Sequence, residues 1–160
     1  MYKKILGPLD GSVLSEFSLD HIKTIATGCN VPEVILLYVF EKPVTFGGFW
    51  GSMEKTGRAI NQLKEAEDEA LKKAQDYLDM KASNLKREGI QVKTFVSHTE
   101  TGKGVAENIL DYADEENVDL IIMSTHGLSG MSRWAFGSVA NRVVHNSKIP
   151  VMMIIPPGFR

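Results

Sequence analysis

The sequence predicts an α/β fold: an open five-stranded parallel sheet, strand order 3-2-1-4-5, with helices on both faces. Three observations predict it. Short apolar runs alternate with amphipathic stretches, giving βα four times and then a last strand, the pattern of a sheet joined by helical crossovers. The runs at 34–40 and 120–123 are apolar almost without a break, as strands covered by helices on both sides require. The chain has 160 residues, 43% of them apolar and 24% charged, which suits one domain, 1–160, with a substantial core. Right-handed crossovers then make strands one and four neighbours whose outgoing helices lie on opposite faces. That is the topological switch point, where such sheets bind ligands.

The elements follow in order. Residues 4–9 form the first strand, with Pro8, which has no N–H to donate, at its end. Asp10-Gly11-Ser12 is a turn, and Ser12 is a candidate N-cap for a helix through about Ala26 that places Leu14, Phe17, Leu19, Ile22, Ile25 and Ala26 at helical spacing. Gly28 is expected to stop that helix. Residues 34–40 form the second strand. Residues 42–57 carry Pro43, Phe46, Trp50 and several glycines without periodicity, a long loop that suits either a lid over a ligand or an aromatic plug for a surface groove or partner. Residues 58–88 read as a long amphipathic helix with Ile60, Leu63, Ala66, Ala70, Leu71, Ala74, Leu78 and Ala82 on one face, closed by Gly89. Glu69–Lys73 and Asp68–Lys72 are favourable i,i+4 pairs on its wet side. Residues 91–96 alternate polar and apolar, as an edge strand does. Residues 105–113 form a helix with Val105, Ala106, Ile109, Leu110 and Ala113 inward. Residues 149–155 are the final strand.

The stretch 118–144 carries the chemistry. A buried strand, 120–123, runs into Ser124, Thr125, Gly127, Ser129 and Gly130, then Gly137-Ser138, then Val139, Ala140, Val143 and Val144 at helical spacing. A strand, a glycine-rich loop and a helix opening on Gly-Ser can hold phosphate. Glycines let backbone N–H groups approach an anion, and the first turn of the helix presents unpaired N–H groups and partial positive charge. The other reading is a turn that uses glycine for φ > 0 with Ser138 as an N-cap and no ligand. The loop is neither a Walker A motif nor a Gly-x-Gly-x-x-Gly fingerprint. Asp10 likewise has two readings: a cap for the first helix, or a carboxylate at the C-terminal edge of a parallel strand, facing the crevice.

The spacing Ser124-x2-Gly127-x9-Gly137-Ser138 resembles the Gly-x2-Gly-x9-Gly-Ser/Thr nucleotide loop of the universal stress protein family, with Gly130 and the trailing Ser-Val-Ala-Asn-Arg-Val-Val also similar. Pro8-Leu9-Asp10 matches the family's Pro-x-Asp, and Val39 the residue whose backbone meets adenine. The resemblance runs from Tyr2 to Ile155. It implies an adenine nucleotide alpha hydrolase-like fold, ATP with Mg²⁺ as ligand, and a base-side set of Pro8, Asp10 and Val39. It implies further nucleotide-binding residues at Met123, Ser124, Gly127, Gly130, Gly137, Ser138 and Val139. The departure is Ser124 in place of the first glycine. If the site requires φ > 0, serine is strained there; if not, its hydroxyl is a further donor.

Composition limits the alternatives. The net charge of −2 gives no electrostatic case for nucleic acid or an anionic membrane. No apolar run approaches the ~20 residues of a membrane span, and the N-terminus lacks the apolar core of a signal peptide. The single Cys29 cannot make an internal disulfide, and a cytoplasmic protein is expected. His21, His98, His126 and His145 form no metal motif; His126 is either a turn residue or a group near phosphate. No nucleophile elbow is present. The leading expectation is an ATP-binding, nucleotide-responsive regulator in stress response acting on an unknown client. The rivals are an adenine-nucleotide hydrolase and a nucleotide-free dimeric interaction protein. A homodimer is expected through the last strand, by Val151, Met153 and Ile155, because an exposed apolar edge needs cover.

Overall fold

The computed structural model describes residues 2–41, 57–99, 102–127 and 136–158. In chain order these form β1 (Lys4–Leu9), α1 (Val13–Gly28), β2 (Glu33–Phe40), α2 (Gly57–Arg87), β3 (Val92–His98), α3 (Val105–Glu115), β4 (Leu120–Ser124), α4 (Ser138–Asn146) and β5 (Val151–Ile154). The five strands make one parallel sheet in the order β3-β2-β1-β4-β5, as the alternating pattern predicts. The aromatic loop at Phe46 and Trp50 lies outside the described residues.

The strands at the centre are apolar on both sides because both sides are covered. Ile5, Leu9, Val34, Leu36, Leu120 and Ile122 pack with Ile22 and Ala26 of α1 and Leu78, Ala82 and Leu85 of α2. The residues between them, Leu6, Ile35, Leu37, Ile121 and Met123, pack with Ala106, Ile109 and Ala113 of α3 and Ala140 and Val143 of α4. The period of two along each strand therefore feeds two separate cores. Pro8 sits one residue inside the end of β1, opposite Leu37.

Ser12 is the N-cap of α1, its hydroxyl accepting from the N–H of Ser15 at 3.1 Å. The helix ends at Gly28, as the sequence predicts, but the left-handed residue beyond it is Asn30, at φ 50°. Asparagine tolerates this region better than most side chains, which is why the stop falls there. The apolar stripe of α2 is used only in part. Ala74, Leu78, Ala82 and Leu85 are buried, whereas Ala66 is exposed and Ala70 and Leu71 are half-buried. The side chains of Ile60 and Leu63 lie outside the described residues. At 1.5 Å per residue a 31-residue helix is about 46 Å long, against about 26 Å for the eight residues of β2, so it outruns the sheet. Val144 on α4, placed inward by periodicity, is 38% exposed, because this helix buries a face only two residues wide.

Candidate functional site

The crevice forms where the chain leaves the carboxyl ends of β1, β2 and β4. Asp10 follows β1 directly. Its Oδ1 accepts from the Ser12 backbone N–H at 3.0 Å and from the Ser12 hydroxyl at 2.6 Å. Gly11 takes φ 82°, the left-handed conformation this turn requires. Asp10 is therefore tied to the start of α1, as a turn residue would be, and it also faces the crevice. Its Oδ2 lies against Gly127 across the gap between β1 and β4: a Cβ on Gly127 would overlap that oxygen.

The β4 side is built from buried polar residues. Ser124, Thr125 and His126 are all under one-tenth exposed. Ser124 ends the strand without positive φ, and its hydroxyl accepts from the His126 N–H at 3.2 Å. Serine is thus unstrained at the position where the motif has glycine. Thr125 joins three elements. Its N–H donates to the Ile154 carbonyl at 2.8 Å, its carbonyl accepts from the Gly137 N–H at 2.8 Å, and its hydroxyl lies 2.9 Å from His126 Nδ1. Gly137 is the N-cap of α4, at φ −56° and ψ 153°, and Ser138 is the first helical residue rather than the cap. A Cβ on Gly137 would come within 3.3 Å of the Thr125 carbonyl. Neither Gly127 nor Gly137 has positive φ, which removes the reading of both as left-handed turn residues; each is glycine because another group approaches closely. The first turn of α4 opens towards the crevice with N–H groups that have no acceptor within the helix.

These parts enclose a cavity of about 420 Å³. It is lined by Pro8, Asp10, Val39, Met123, Ser124, Gly127, Gly137, Ser138 and Val139, so nine of the ten residues singled out in the sequence come together; Gly130 lies outside the described residues. Leu37, Val105 and Ile109 extend the apolar wall begun by Val39 and Met123. Ser15, Tyr38, Glu41, Thr125 and His126 complete the described polar lining. Burial, and after it the negative charge of Asp10, raises the Tyr38 phenol above its ordinary value of 10, so it remains a hydrogen-bond donor. Tyr38 packs edge-on to Tyr77, ring centres 6.4 Å apart, and the Tyr77 hydroxyl donates to Glu16 at 3.1 Å. Val105 and Ile109 were not singled out as site residues, although the rule that ligands sit beyond the strand ends points to the first turn of every following helix.

The described lining combines an apolar slot, the carboxylate of Asp10 held beside it, the hydroxyls of Ser15, Ser124, Thr125 and Ser138, the Tyr38 phenol and a helix start. The Thr125 hydroxyl and the His126 ring are the hydroxyl and imidazole brought together in it. Among the described residues no group of three His, Cys, Asp or Glu is placed to hold a metal ion. No helix among the described residues is long and apolar enough to cross a membrane.

Comparison with known proteins agrees with this architecture. The model of the universal stress protein family matches residues 1–154. Two universal stress proteins of Methanocaldococcus jannaschii are similar: one, MJ0577, is 32% identical over 96% of this chain and 95% of its own, and the other is 33% identical over 98% and 84%. The solved structure of MJ0577 has a TM-score of 0.79, with 28% identity over 99% of each chain. A universal stress protein solved in complex with cAMP (TM-score 0.58, 20% identity) and one from Archaeoglobus fulgidus in complex with dAMP (TM-score 0.55, 22% identity) share the fold; each covers 96% of this chain, and the matches span 97% and 98% of their own. With the family model spanning nearly the whole sequence and the sheet order and crevice in place, this chain belongs to the universal stress protein family.

Proposed function

We propose that the protein binds an adenine nucleotide, ATP, in the crevice between β1 and β4 and acts as a nucleotide-responsive regulator in the cytoplasm. The observation that carries this reading is the division of one cavity of about 420 Å³ into an apolar slot and a polar end. Val39, Met123, Val105 and Ile109 offer the slot, which suits a flat base. Ser124, Ser138 and the first turn of α4 offer donors, which suit a phosphate chain. Asp10, held by Ser12, is positioned to accept from a sugar or base donor. Relatives of the same fold solved with cAMP and dAMP support an adenine nucleotide as the class.

A magnesium ion fits this site only as a passenger of the phosphates. Asp10 and Glu41 are the carboxylates among the described lining residues, and Mg²⁺ prefers one or two carboxylates with phosphate and water oxygens. The ion would neutralise phosphate charge. The crevice side chains would bind the nucleoside and orient the chain towards α4.

Thermal unfolding with and without ATP and Mg²⁺ tests the reading. At ligand about 100 times Kd the stabilisation is about 2.7 kcal/mol, a rise in Tm of roughly 5–11 °C for a domain of this size. No rise at millimolar ATP, and no nucleotide released from the purified protein, would leave the nucleotide-free interaction protein as the better reading.

A further inference from the structure

We infer that Glu107 is a positioning residue for the crevice: its carboxylate ties the first turn of α3 to α4 and so fixes the spacing between the apolar slot and the donors at the start of α4. The inference rests on the nucleotide reading above and assigns a role to two side chains, Glu107 and Arg142, that lie outside the cavity lining.

Two helices shape the crevice from one face of the sheet. The start of α3 gives Val105 and Ile109 to the apolar slot, and the start of α4 gives Ser138, Val139 and its unpaired N–H groups to the polar end. A ligand that fills both ends therefore reads the distance between two helix starts. The packing beneath them holds that distance weakly. Ala106, Ile109 and Ala113 of α3 share a core with Ala140 and Val143 of α4, and alanines raise only low ridges against sliding. An open groove of about 290 Å³ runs along the same pair of helices.

Glu107 spans the helices at the crevice end. Its Oε2 accepts from the Gly104 N–H at 3.1 Å, capping α3, and its Oε1 accepts from Arg142 Nη1, on α4, at 3.2 Å. Arg142 stands one turn beyond Ser138. The other cross-helix ion pair, Lys148 to Asp114 at 3.1 Å, lies at the end away from the crevice. Gly104 fits the same device. Its φ of −91° and ψ of 178° are open to any residue, so its conformation does not demand glycine. A Cβ there would come within 2.7 Å of Glu107 Oε2 and 3.6 Å of Arg142 Nη1. Glycine leaves room for the tie.

The Arg142 and Glu107 side chains are 63% and 43% exposed, so the pair adds little to global stability. What an exposed pair can supply corresponds to about a two- to fivefold change in affinity for a ligand that spans both ends.

Calorimetric titration of adenosine, and of ATP with Mg²⁺, on wild type, Glu107→Gln, Arg142→Gln, the double variant and Gly104→Ala tests this. Glu107→Gln keeps an acceptor for Gly104 and loses the charge that holds Arg142. Each single variant should weaken ATP by about two- to fivefold and adenosine hardly at all. The two glutamine variants should melt within about 3 °C of wild type. The double variant should bind ATP as either glutamine variant does, since one tie cannot be lost twice. Charge acting directly on the phosphates gives a different pattern: Glu107→Gln tightens ATP, Arg142→Gln weakens it and the double variant returns to wild type. That pattern would overturn the inference. Equal losses for adenosine and ATP would overturn it too, because the slot alone would then be disturbed. Unchanged ATP affinity in the single variants would overturn it while leaving nucleotide binding standing. A wild type that binds neither ligand overturns the nucleotide reading and this inference with it.

Discussion

Asp10 and Gly127 face each other across the gap between β1 and β4, and they explain one another. The carboxylate accepts from Ser12 at Oδ1 and turns Oδ2 towards Gly127, where any side chain would overlap it. The group in the way is the end of a flexible side chain. Gly127→Ala is therefore expected to swing Asp10 out rather than to strain the backbone, and to forfeit the bonds to Ser12. Asp10→Ala forfeits the same bonds. Each variant should lose about 1 kcal/mol in urea unfolding, and the double variant should lose about as much as either alone, because the obstacle is already gone. Losses that simply add would show that Gly127 is glycine for another reason. The sequence shows both residues and their motif spacing. It does not show that they touch, because the contact spans more than a hundred residues. Gly127 and Gly137 were therefore open to a conformational reading that their ordinary φ values exclude. Ser124 is the converse: its fitness depends on the local φ, which no composition rule supplies.

At the scale of elements, periodicity was legible wherever a helix lies on the sheet. On α2 the stripe continues past the point where the sheet ends, and a pattern of side chains carries no information about what stands opposite. Leu78→Ala is expected to cost about 2–5 kcal/mol, since Leu78 is fully buried between β-strands and α1. Ala66→Ser, on the exposed half, should stay within about 0.5 kcal/mol. Denaturant unfolding of the two variants checks the contrast; comparable losses would mean that the N-terminal half of α2 is packed in solution. The joint between β1 and β4 gives a pH-dependent test. Asp119, just before β4, accepts from the Lys3 and Lys4 backbone N–H groups at 2.6 and 2.8 Å, and these bonds, first that from Lys3, hold its carboxyl below the ordinary 3.8. A carboxyl depressed in the folded state adds stability above its unfolded pKa, and that contribution is lost as pH falls through the folded value. The stability difference between wild type and Asp119→Asn should thus be constant from pH 7 to about 5 and shrink below about 4. A difference that persists unchanged at pH 2 would assign the effect to the geometry of the side chain instead of its charge.

At the scale of the molecule, β5 lies at the margin of the sheet, and among the described residues it pairs with β4 alone. Strand order was legible because crossovers must be right-handed and helices must cover both faces; what covers the last strand follows from neither rule. Met152 is 36% exposed and Ile155 is 43% exposed, while Val151 and Met153 are half-buried against the α3–α4 core. An apolar strand with an open row of backbone donors and acceptors is prone to pair with another strand. A second copy related by a two-fold axis satisfies it with the same strand run antiparallel, residue for residue. We propose this homodimer. It would also connect assembly to the crevice, because the last backbone bond of the β4–β5 seam, Thr125 to Ile154, shares its residue with the bond that holds Gly137 at the start of α4. Sedimentation should find a dimer at micromolar protein. Met153→Lys should give a monomer, but Met153 also touches the core, so Ile155→Lys provides the second arm: it adds charge to the exposed margin without entering the packing. Both variants should sediment as monomers, with Ile155→Lys melting as the isolated fold does. A wild type that is monomeric at this concentration would refute the dimer, and dimers surviving in both variants would move the interface to another surface.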